Sequence, residues 1–257
     1  MPSQPINVFD FNSYLARIGF TEPTEANSET LRRVHLAHLR TVPFENLDIS
    51  LGRPIVCEEP RFLHKIVNLR HGGFCYELNG AFAALLRALG YSVTLLSARV
   101  SRADGSASPE FDHLALRVDL EEPWLVDVGF GDSFLEPLRL KAELVQEQHG
   151  RKFRITEADG IMIVLRSEVT RQWRPQYQFS LAPRQLSDFA PMCHYHQTSP
   201  ESHFTQQRIC TLATPDGRIT LSDLKFIRTT NGIREERLLR DEGEWRAVLE
   251  KDFGVKL

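Results

Sequence analysis

The sequence lacks the long apolar runs that mark membrane proteins. Its 257 residues contain no stretch close to the roughly 20 apolar residues that span a bilayer. The first residues, MPSQPINVFDFNSYL, also lack the basic segment followed by an apolar segment that is typical of a secretory signal. We therefore expect no membrane partner and a cytoplasmic protein.

An excess of charge of one sign is also missing. The chain has 31 Lys and Arg residues against 34 Asp and Glu residues, and its net charge is −3. Nucleic-acid binding depends on clustered positive charge that neutralises phosphates, so nucleic acid is not an expected partner. With 42% hydrophobic residues, the chain has enough apolar material for a substantial packed core.

Cysteine is scarce and widely spaced. No CxxC pair occurs among the four cysteines, which are Cys57, Cys75, Cys193 and Cys210. This pattern favours free thiols in a reducing compartment over a disulfide framework. The segment MCHYHQ adds His194 and His196 beside Cys193, but alternate residues of a strand would supply at most two ligands on one face. No metal site is therefore expected.

The first part of the chain has helical periodicity. Apolar residues recur at helical spacing in DFNSYLARIGF, in NSETLRRVHLAHLRTVPF and in YELNGAFAALLRALG. Ser28 and Glu29 form a capping-box pattern at the start of the second segment, Pro43 should end it, and Gly90 closes the third. We predict a helical bundle over residues 1–90.

The periodicity then changes to that of strands. Short alternating runs such as YSVTLLSARV, DHLALRVDL and PWLVDVGF are separated by turn-forming residues, and Asp159-Gly160 predicts the turn of a hairpin. Residues 91–195 are therefore predicted to form an antiparallel β-barrel. In residues 196–257, strand pairs joined by PDGR and TNGI precede a helix around GEWRAVLEKDF. The expected fold class is α+β.

Cys75 is the first candidate for chemistry. It follows two glycines in LRHGGFCYELNGAF and stands where a helix should begin, so unpaired N–H groups and the helix dipole would favour its thiolate. A single cysteine at a helix start is also a common buried residue without chemical function. The local sequence leaves both interpretations open.

A partner for the thiol has to come from the strands. His113 begins an alternating strand, and Asp127 ends an apolar one in PWLVDVGFGD. A buried carboxylate needs a partner; a histidine Nδ1–H would satisfy it and leave Nε2 to deprotonate the cysteine, as in a Cys-His-Asp triad. Alternatively, Asp127 caps the turn before Gly129 and His113 is a surface residue.

Five ordered segments resemble one known family. HGGFCYELNGAF, FDHLALRV and WLVDVGFG are similar to the three signature regions of the arylamine N-acetyltransferases. TVPFENLDI and SPESHFTQQRIC also resemble family segments, so the similarity extends from about residue 30 to about residue 230. The chain lacks the extra insert of eukaryotic members, which favours a prokaryotic type.

The resemblance implies a fold and a reaction. It implies a helical bundle carrying Cys75, a β-barrel carrying His113 and Asp127, and an α/β lid, with a triad like that of cysteine proteases. Acetyl-CoA would acetylate Cys75, which would pass the acetyl group to the nitrogen of an arylamine or arylhydrazine, or to the oxygen of an N-hydroxyarylamine. This is a ping-pong mechanism, with CoA and a small aromatic amine as partners.

The resemblance also implies binding residues. The acceptor pocket would be lined by Phe44, Val100, Phe130 and Phe204, whose default interpretation is core packing. Backbone N–H groups of the GFGDSF turn, at Gly129, Gly131 and Ser133, would approach the CoA pyrophosphate. The chain departs from the family at His71, where an arginine usually precedes the two glycines.

Three functions remain open from the sequence. The first is the acetyl-CoA-dependent transferase. The second keeps the triad but makes the protein a thiol acyl-hydrolase or an amide synthase with a tethered acyl donor. The third is a non-catalytic ligand-binding protein on the same scaffold. The sequence does not identify the physiological amine, the preferred acyl donor or the oligomeric state.

Overall fold

The computed structural model of the chain describes residues 10–167 and 172–257. Its N-terminal part is helical, as predicted. A π-helical turn, His64–Asn68, continues the fourth helix. The helices of this part are α1 (Phe11–Arg17), α2 (Ser28–Thr41), α3 (Leu47–Ser50), α4 (Glu59–Leu63) and α5 (Cys75–Ala88).

The ends of the long helices follow local chemistry. The side chain of Asn27, not Ser28 as predicted, caps α2 by accepting a hydrogen bond from the Thr30 N–H. Helix α2 ends at Thr41, two residues before Pro43, since the residue preceding a proline disfavours helical backbone. Beyond α5, Gly90 adopts a φ of 90°, which permits the sharp exit from the helix.

The central part is an eight-stranded antiparallel sheet in the spatial order β5-β4-β3-β2-β9-β8-β7-β6. The predicted hairpin joins β7 to β8 through Asp159 and Gly160, both with positive φ. The strands are β2 (Ser92–Val100), β3 (His113–Asp119), β4 (Pro123–Val126), β5 (Leu138–Arg139), β6 (Gln146–Gln148), β7 (Arg151–Ala158), β8 (Ile161–Ser167) and β9 (Trp173–Phe179).

Side-chain amides bring the two edges of this sheet together. The amide of Gln146 on β6 both accepts from the Arg139 N–H and donates to the Arg139 carbonyl on β5. Gln148 accepts from the main-chain N–H groups of Leu135 and Glu136. The sheet is thus a nearly closed barrel, which confirms the predicted α+β class.

A second antiparallel sheet covers the C-terminal part in the order β1-β10-β11-β12-β13. Its first strand, β1 (Phe44–Glu45), comes from the helical part and pairs Phe44 with Thr211. Helix α8 (Glu242–Phe253) packs on this sheet through Trp245, Leu249 and Phe253. The other strands are β10 (Ile209–Thr214), β11 (Gly217–Ser222), β12 (Lys225–Thr230) and β13 (Ile233–Leu238).

Two short helices link the barrel to this second sheet. They are α6 (Ala190–Thr198), which follows a 3-10 turn at Leu186–Phe189, and α7 (His203–Gln206). The prediction that MCHYHQ is a strand is therefore wrong. Pro191 favours the first turn of a helix, and Cys193 and His196, three residues apart, face inward together. Within the described ranges, no helix is long and apolar enough to cross a membrane.

Candidate functional site

Cys75 is the first residue of α5 and is almost fully buried. Gly72 and Gly73 bring the preceding backbone against Pro43, where an added Cβ at Gly72 would lie 2.0 Å from the proline carbonyl oxygen. Glu77 Oε2 accepts a hydrogen bond from the Phe74 N–H at 3.1 Å and so caps the helix start. The two glycines are required for this close packing, and the thiol lies at the positive end of the helix.

His113 and Asp127 meet where β3 begins and β4 has just ended. Their side chains are buried, and His113 Nε2 lies 2.7 Å from Asp127 Oδ2. The expectation that Nδ1 faces the carboxylate is wrong: Nε2, the outer ring nitrogen, reaches Asp127 from the start of β3. Nδ1 is therefore the nitrogen left for exchange of a proton with the thiol.

Asn79, one turn after Cys75 on α5, holds Asp127 in place. Its Nδ2 donates to Asp127 Oδ1 at 2.9 Å, and its Oδ1 accepts from the Val128 N–H at 2.9 Å. The Gly129 N–H also donates to Asp127 Oδ1. Asn79 was not among the predicted site residues, although a polar residue within the apolar α5 is a signal that it has a buried partner.

The carboxyl of Asp127 is ionised despite its burial. Burial raises the pKa of Asp127, but the charge of His113 and hydrogen bonds from His113, Asn79 and the Gly129 N–H together hold it below the ordinary value. An ionised Asp127 fixes the imidazole and stabilises its protonated form. The pair is therefore suited to accept and return a proton.

Burial opposes ionisation of the Cys75 thiol. Burial raises the pKa of Cys75 well above its ordinary value, and Sγ lies 3.9 Å from the main-chain oxygen of Asp112, to which it donates. A buried thiol of this kind becomes nucleophilic when an adjacent base takes its proton. His113 lines the same cavity as Cys75 and is the candidate for that base.

A cavity of about 800 Å³ opens above Cys75 and His113. All four predicted acceptor-pocket residues line it: Phe44, Val100, Phe130 and Phe204. The ring of Phe130 meets that of His113 edge to face, with centroids 5.3 Å apart. The site therefore offers flat apolar walls next to a nucleophile and a base, which fits an aromatic ligand.

The three residues predicted for CoA lie in different surroundings. Gly129 lines the cavity and packs so tightly that an added Cβ would lie 2.8 Å from Cys75 Cα. Gly131 packs on Phe44 instead. Ser133 is buried and its hydroxyl donates to Gln176 Oε1, so its side chain is not free for a phosphate. Of the three, only Gly129 lines the cavity, and its main-chain N–H, the predicted phosphate donor, already donates to Asp127 Oδ1.

Two cations, Lys65 and Arg17, support the cysteine loop near His71, the position at which the resemblance led us to expect an arginine. His71 Nε2 contacts the Lys256 carbonyl oxygen at 3.0 Å. Lys65 Nζ instead reaches Glu77 Oε1 at 2.9 Å, and Arg17 donates to the main-chain oxygens of Arg70 and His71. The departure therefore leaves the loop with cationic support from other positions.

Within residues 10–167 and 172–257, no group of three or more His, Cys, Asp or Glu side chains is arranged to hold a metal ion. His194 is exposed on α6, whereas His196 turns into the cavity beside Asp112. The three residues of MCHYHQ that the sequence analysis considered as ligands therefore lie in different environments.

Comparison with known proteins gives one consistent family. A family model described as N-acetyltransferase matches residues 27–257. The arylamine N-acetyltransferase of Escherichia coli (strain K12) is 37% identical over 248 residues, which cover 95% of this chain and 88% of that protein. A Salmonella typhimurium protein, named arylamine N-acetyltransferase / N-hydroxyarylamine O-acetyltransferase, is 36% identical over 231 residues, covering 88% of this chain and 82% of that protein.

A solved structure shows the same architecture. The arylamine N-acetyltransferase of Mycobacterium marinum in complex with CoA superposes with a TM-score of 0.89 at 30% sequence identity. The similarity covers 96% of this chain and 93% of that chain. The arrangement of helices, barrel and C-terminal sheet is therefore shared over nearly the whole length.

Proposed function

The chain belongs to the arylamine N-acetyltransferase family, and we propose that Cys75, His113 and Asp127 transfer an acetyl group from acetyl-CoA to the nitrogen of an arylamine or arylhydrazine. The observation that carries the proposal is one aromatic-lined cavity containing both the thiol of Cys75 and the imidazole that Asp127 holds. The chemistry requires a nucleophile, a base and an aryl-binding wall, and each has a candidate there.

In the first half-reaction, His113 Nδ1 takes the proton of the Cys75 thiol while Asp127 stabilises the imidazolium. The thiolate attacks the thioester carbonyl of acetyl-CoA, the bond to the CoA sulfur breaks, and His113 returns the proton to the departing CoA thiolate. One thioester replaces another, so the acetyl-enzyme is close in free energy to its precursor. The main-chain N–H of Cys75, in the first turn of α5, is available to the oxyanion.

In the second half-reaction, the acceptor nitrogen attacks the acetyl carbonyl on Cys75. His113 accepts the proton that the nitrogen loses and gives it to the Cys75 sulfur as the carbon–sulfur bond breaks. The product is an amide, which is more stable than the thioester and drives the reaction forward. With an N-hydroxyarylamine, the hydroxyl oxygen takes the place of the nitrogen.

The aromatic walls of the cavity favour an aromatic acceptor. The rings of Phe44 and Phe204 lie at a tilt to each other with centroids 6.2 Å apart, and Phe130 stands beside His113. An aryl ring packed against these side chains would place its amino group near the acetylated sulfur. CoA would approach the same cavity near Gly129, since its acetyl carbon must reach Cys75.

We also propose a domain division and a location in the cell. The first is a division into a helical bundle at 1–90, a barrel at 91–195 and a lid at 196–257. The separate cores of the barrel and of the C-terminal sheet support it, although the last boundary falls inside α6. The second is a cytoplasmic location, which the four free cysteines, namely Cys57, Cys75, Cys193 and Cys210, support.

The proposal is tested by measuring the release of free CoA when the protein is mixed with acetyl-CoA alone and with acetyl-CoA plus an arylhydrazine. A transferase with an acetyl-enzyme gives turnover that depends on the hydrazine and parallel lines in double-reciprocal plots. Rapid CoA release without an acceptor would indicate a hydrolase instead. No CoA release under either condition would favour an amide synthase that needs another donor, or a binding protein.

A further inference from the structure

A second imidazole–carboxylate pair lies in the cavity, separate from His113 and Asp127. His196 Nε2 on α6 lies 3.1 Å from Asp112 Oδ1, and His196 Nδ1 lies 3.2 Å from Ser202 Oγ. Asp112 and His196 both line the cavity that contains Cys75. The mechanism above uses neither of these side chains.

Asp112 brings a negative charge into this cavity. Its side chain is only 16% exposed, and burial alone raises its pKa. Contacts with His196 and Ser108 and the charge of His113 outweigh burial and hold the pKa of Asp112 below the ordinary value. The ionised carboxylate of Asp112 is the negative charge that this pair brings to the cavity.

Asp112 is next to the thiol through its main chain, and the charge of its side chain contributes to the raised pKa of Cys75. The main-chain oxygen of Asp112 is the atom that accepts from Cys75 Sγ, and it also accepts from the Tyr76 hydroxyl at 3.2 Å. Other charged residues of the cavity, Arg102, Asp104 and Glu201, are exposed, so solvent and salt screen them. Of the described carboxylates that line the cavity, Asp112 is the one that is mostly withdrawn from solvent.

The pair is also held rigidly. The ring of His196 packs edge to face on Phe204, with centroids 5.1 Å apart, and lies 6.2 Å from the ring of Tyr76. Ser202 engages its second nitrogen and also caps α7 through the Phe204 N–H. The carboxylate therefore has a fixed position next to an aromatic wall.

We propose that the Asp112–His196 pair makes the acceptor cavity select uncharged or cationic aryl nucleophiles over those that carry a carboxylate. A second carboxylate next to Asp112 is repelled by it, whereas amine, hydrazine and amidine N–H groups can donate to it. The inference rests on the proposed function, because it names the class of acceptor for that same site.

The first test compares 4-aminobenzamide with 4-aminobenzoate, which have nearly the same shape and differ in charge. At about pH 8 we expect the native enzyme to prefer the amide in kcat/KM by about tenfold or more. Asp112→Asn should reduce that preference about tenfold. Asp104→Asn, which removes an exposed carboxylate from the same cavity, should leave the preference within about twofold.

The comparison of ratios removes the intrinsic difference in reactivity between the two amines. An unchanged ratio of the two kcat/KM values in Asp112→Asn would overturn the inference, and this includes the case in which both values fall equally. Equal losses would mean that Asp112 only positions the loop and α6. If the native protein acetylated no aromatic amine or hydrazine, the proposed function itself would fail.

The second test does not depend on acetyl transfer. Benzamidine, benzamide and benzoate are used to protect Cys75 of the native protein from iodoacetamide, with alkylation measured by intact protein mass. We expect benzamidine to protect Cys75 at the lowest concentration and benzoate at the highest. The difference between these two protective concentrations should be smaller in Asp112→Asn. Equal protection by benzoate and benzamidine in the native protein would contradict the inference, even if the variant did not fold.

Discussion

Replacing Lys65 with methionine tests how the start of α5 is supported. Lys65 lies in the π-helical turn, and its side chain is only 10% exposed. Its Nζ lies 2.7 Å from Asp48 Oδ2, 2.9 Å from Glu77 Oε1 and 3.4 Å from Glu45 Oε1. Glu77 in turn caps the helix that begins with Cys75. Lys65→Met keeps most of the side-chain volume and leaves these carboxylates without their shared cation.

The expected loss of stability is large. Removing one partner of a buried ion pair destabilises a protein by about 3–5 kcal/mol, because the remaining charge stays buried without compensation. For a chain of this length that loss lowers Tm by about 6–20 °C. Arg61→Met is a matched control, since Arg61 pairs with Glu58 on the exposed surface of α4 and should contribute less than about 1 kcal/mol.

The loss should depend on pH in a defined direction. Burial raises the pKa of Glu77 to about 7 even with Lys65 present. A carboxyl group whose pKa is higher in the folded than in the unfolded chain stabilises the fold at pH values below its unfolded pKa. That contribution is lost as the pH rises through its folded pKa. Without Lys65 the pKa of Glu77 rises further, so the variant should be closest to the native protein at about pH 5 and furthest from it at about pH 8.

The assay is thermal unfolding of the native protein, Lys65→Met and Arg61→Met across that pH range. A Tm loss in Lys65→Met no larger than that in Arg61→Met would refute the reasoning. So would a loss that grows as pH falls. Either result would mean that Lys65 does not compensate the charge of these carboxylates in the folded protein.

Three other predictions concern the residues around the thiol. Gly129→Ala would place a Cβ 2.8 Å from Cys75 Cα, so we expect unfolding free energy to fall by about 1–3 kcal/mol, measured by urea titration. Asn79→Leu removes the amide that bonds Asp127, and Tm should fall by several degrees, since about 1–3 kcal/mol is lost when buried partners are left unpaired; an unchanged Tm would contradict this. His113→Gln should slow alkylation of Cys75 by iodoacetamide at about pH 7 by tenfold or more, and an equal rate would show that His113 does not activate the thiol.

Local sequence patterns predicted most of the fold. Helices α2 and α5 and the hairpin at Asp159-Gly160 have short-range signals in apolar spacing and turn residues. The pairing of Phe44 with Thr211 has no short-range sequence signal, because it joins residues far apart in the chain. The segment around Cys193 misled the prediction because its polar and apolar residues fit a strand as well as a short helix.

Part of the site could also be predicted. Residue type and spacing made Cys75, His113 and Asp127 candidates, and the resemblance to a known family selected them as a triad. The structure brings His113 to within 2.7 Å of Asp127, while their catalytic roles stay predictions. The ring nitrogen that faces the carboxylate depends on backbone direction, which spacing does not reveal. The partners Asn79 and Lys65 depend on packing between elements, and no local pattern shows which buried charges will meet.

The most direct test of the account is the intact mass of the protein after mixing with acetyl-CoA alone. The account predicts the addition of one acetyl group to the native protein, none to Cys75→Ala, and loss of that group when an arylhydrazine is added, with formation of the acetylated hydrazine. An acetyl group that also appears on Cys75→Ala, or one that persists while the hydrazine is acetylated, would contradict Cys75 as the carrier.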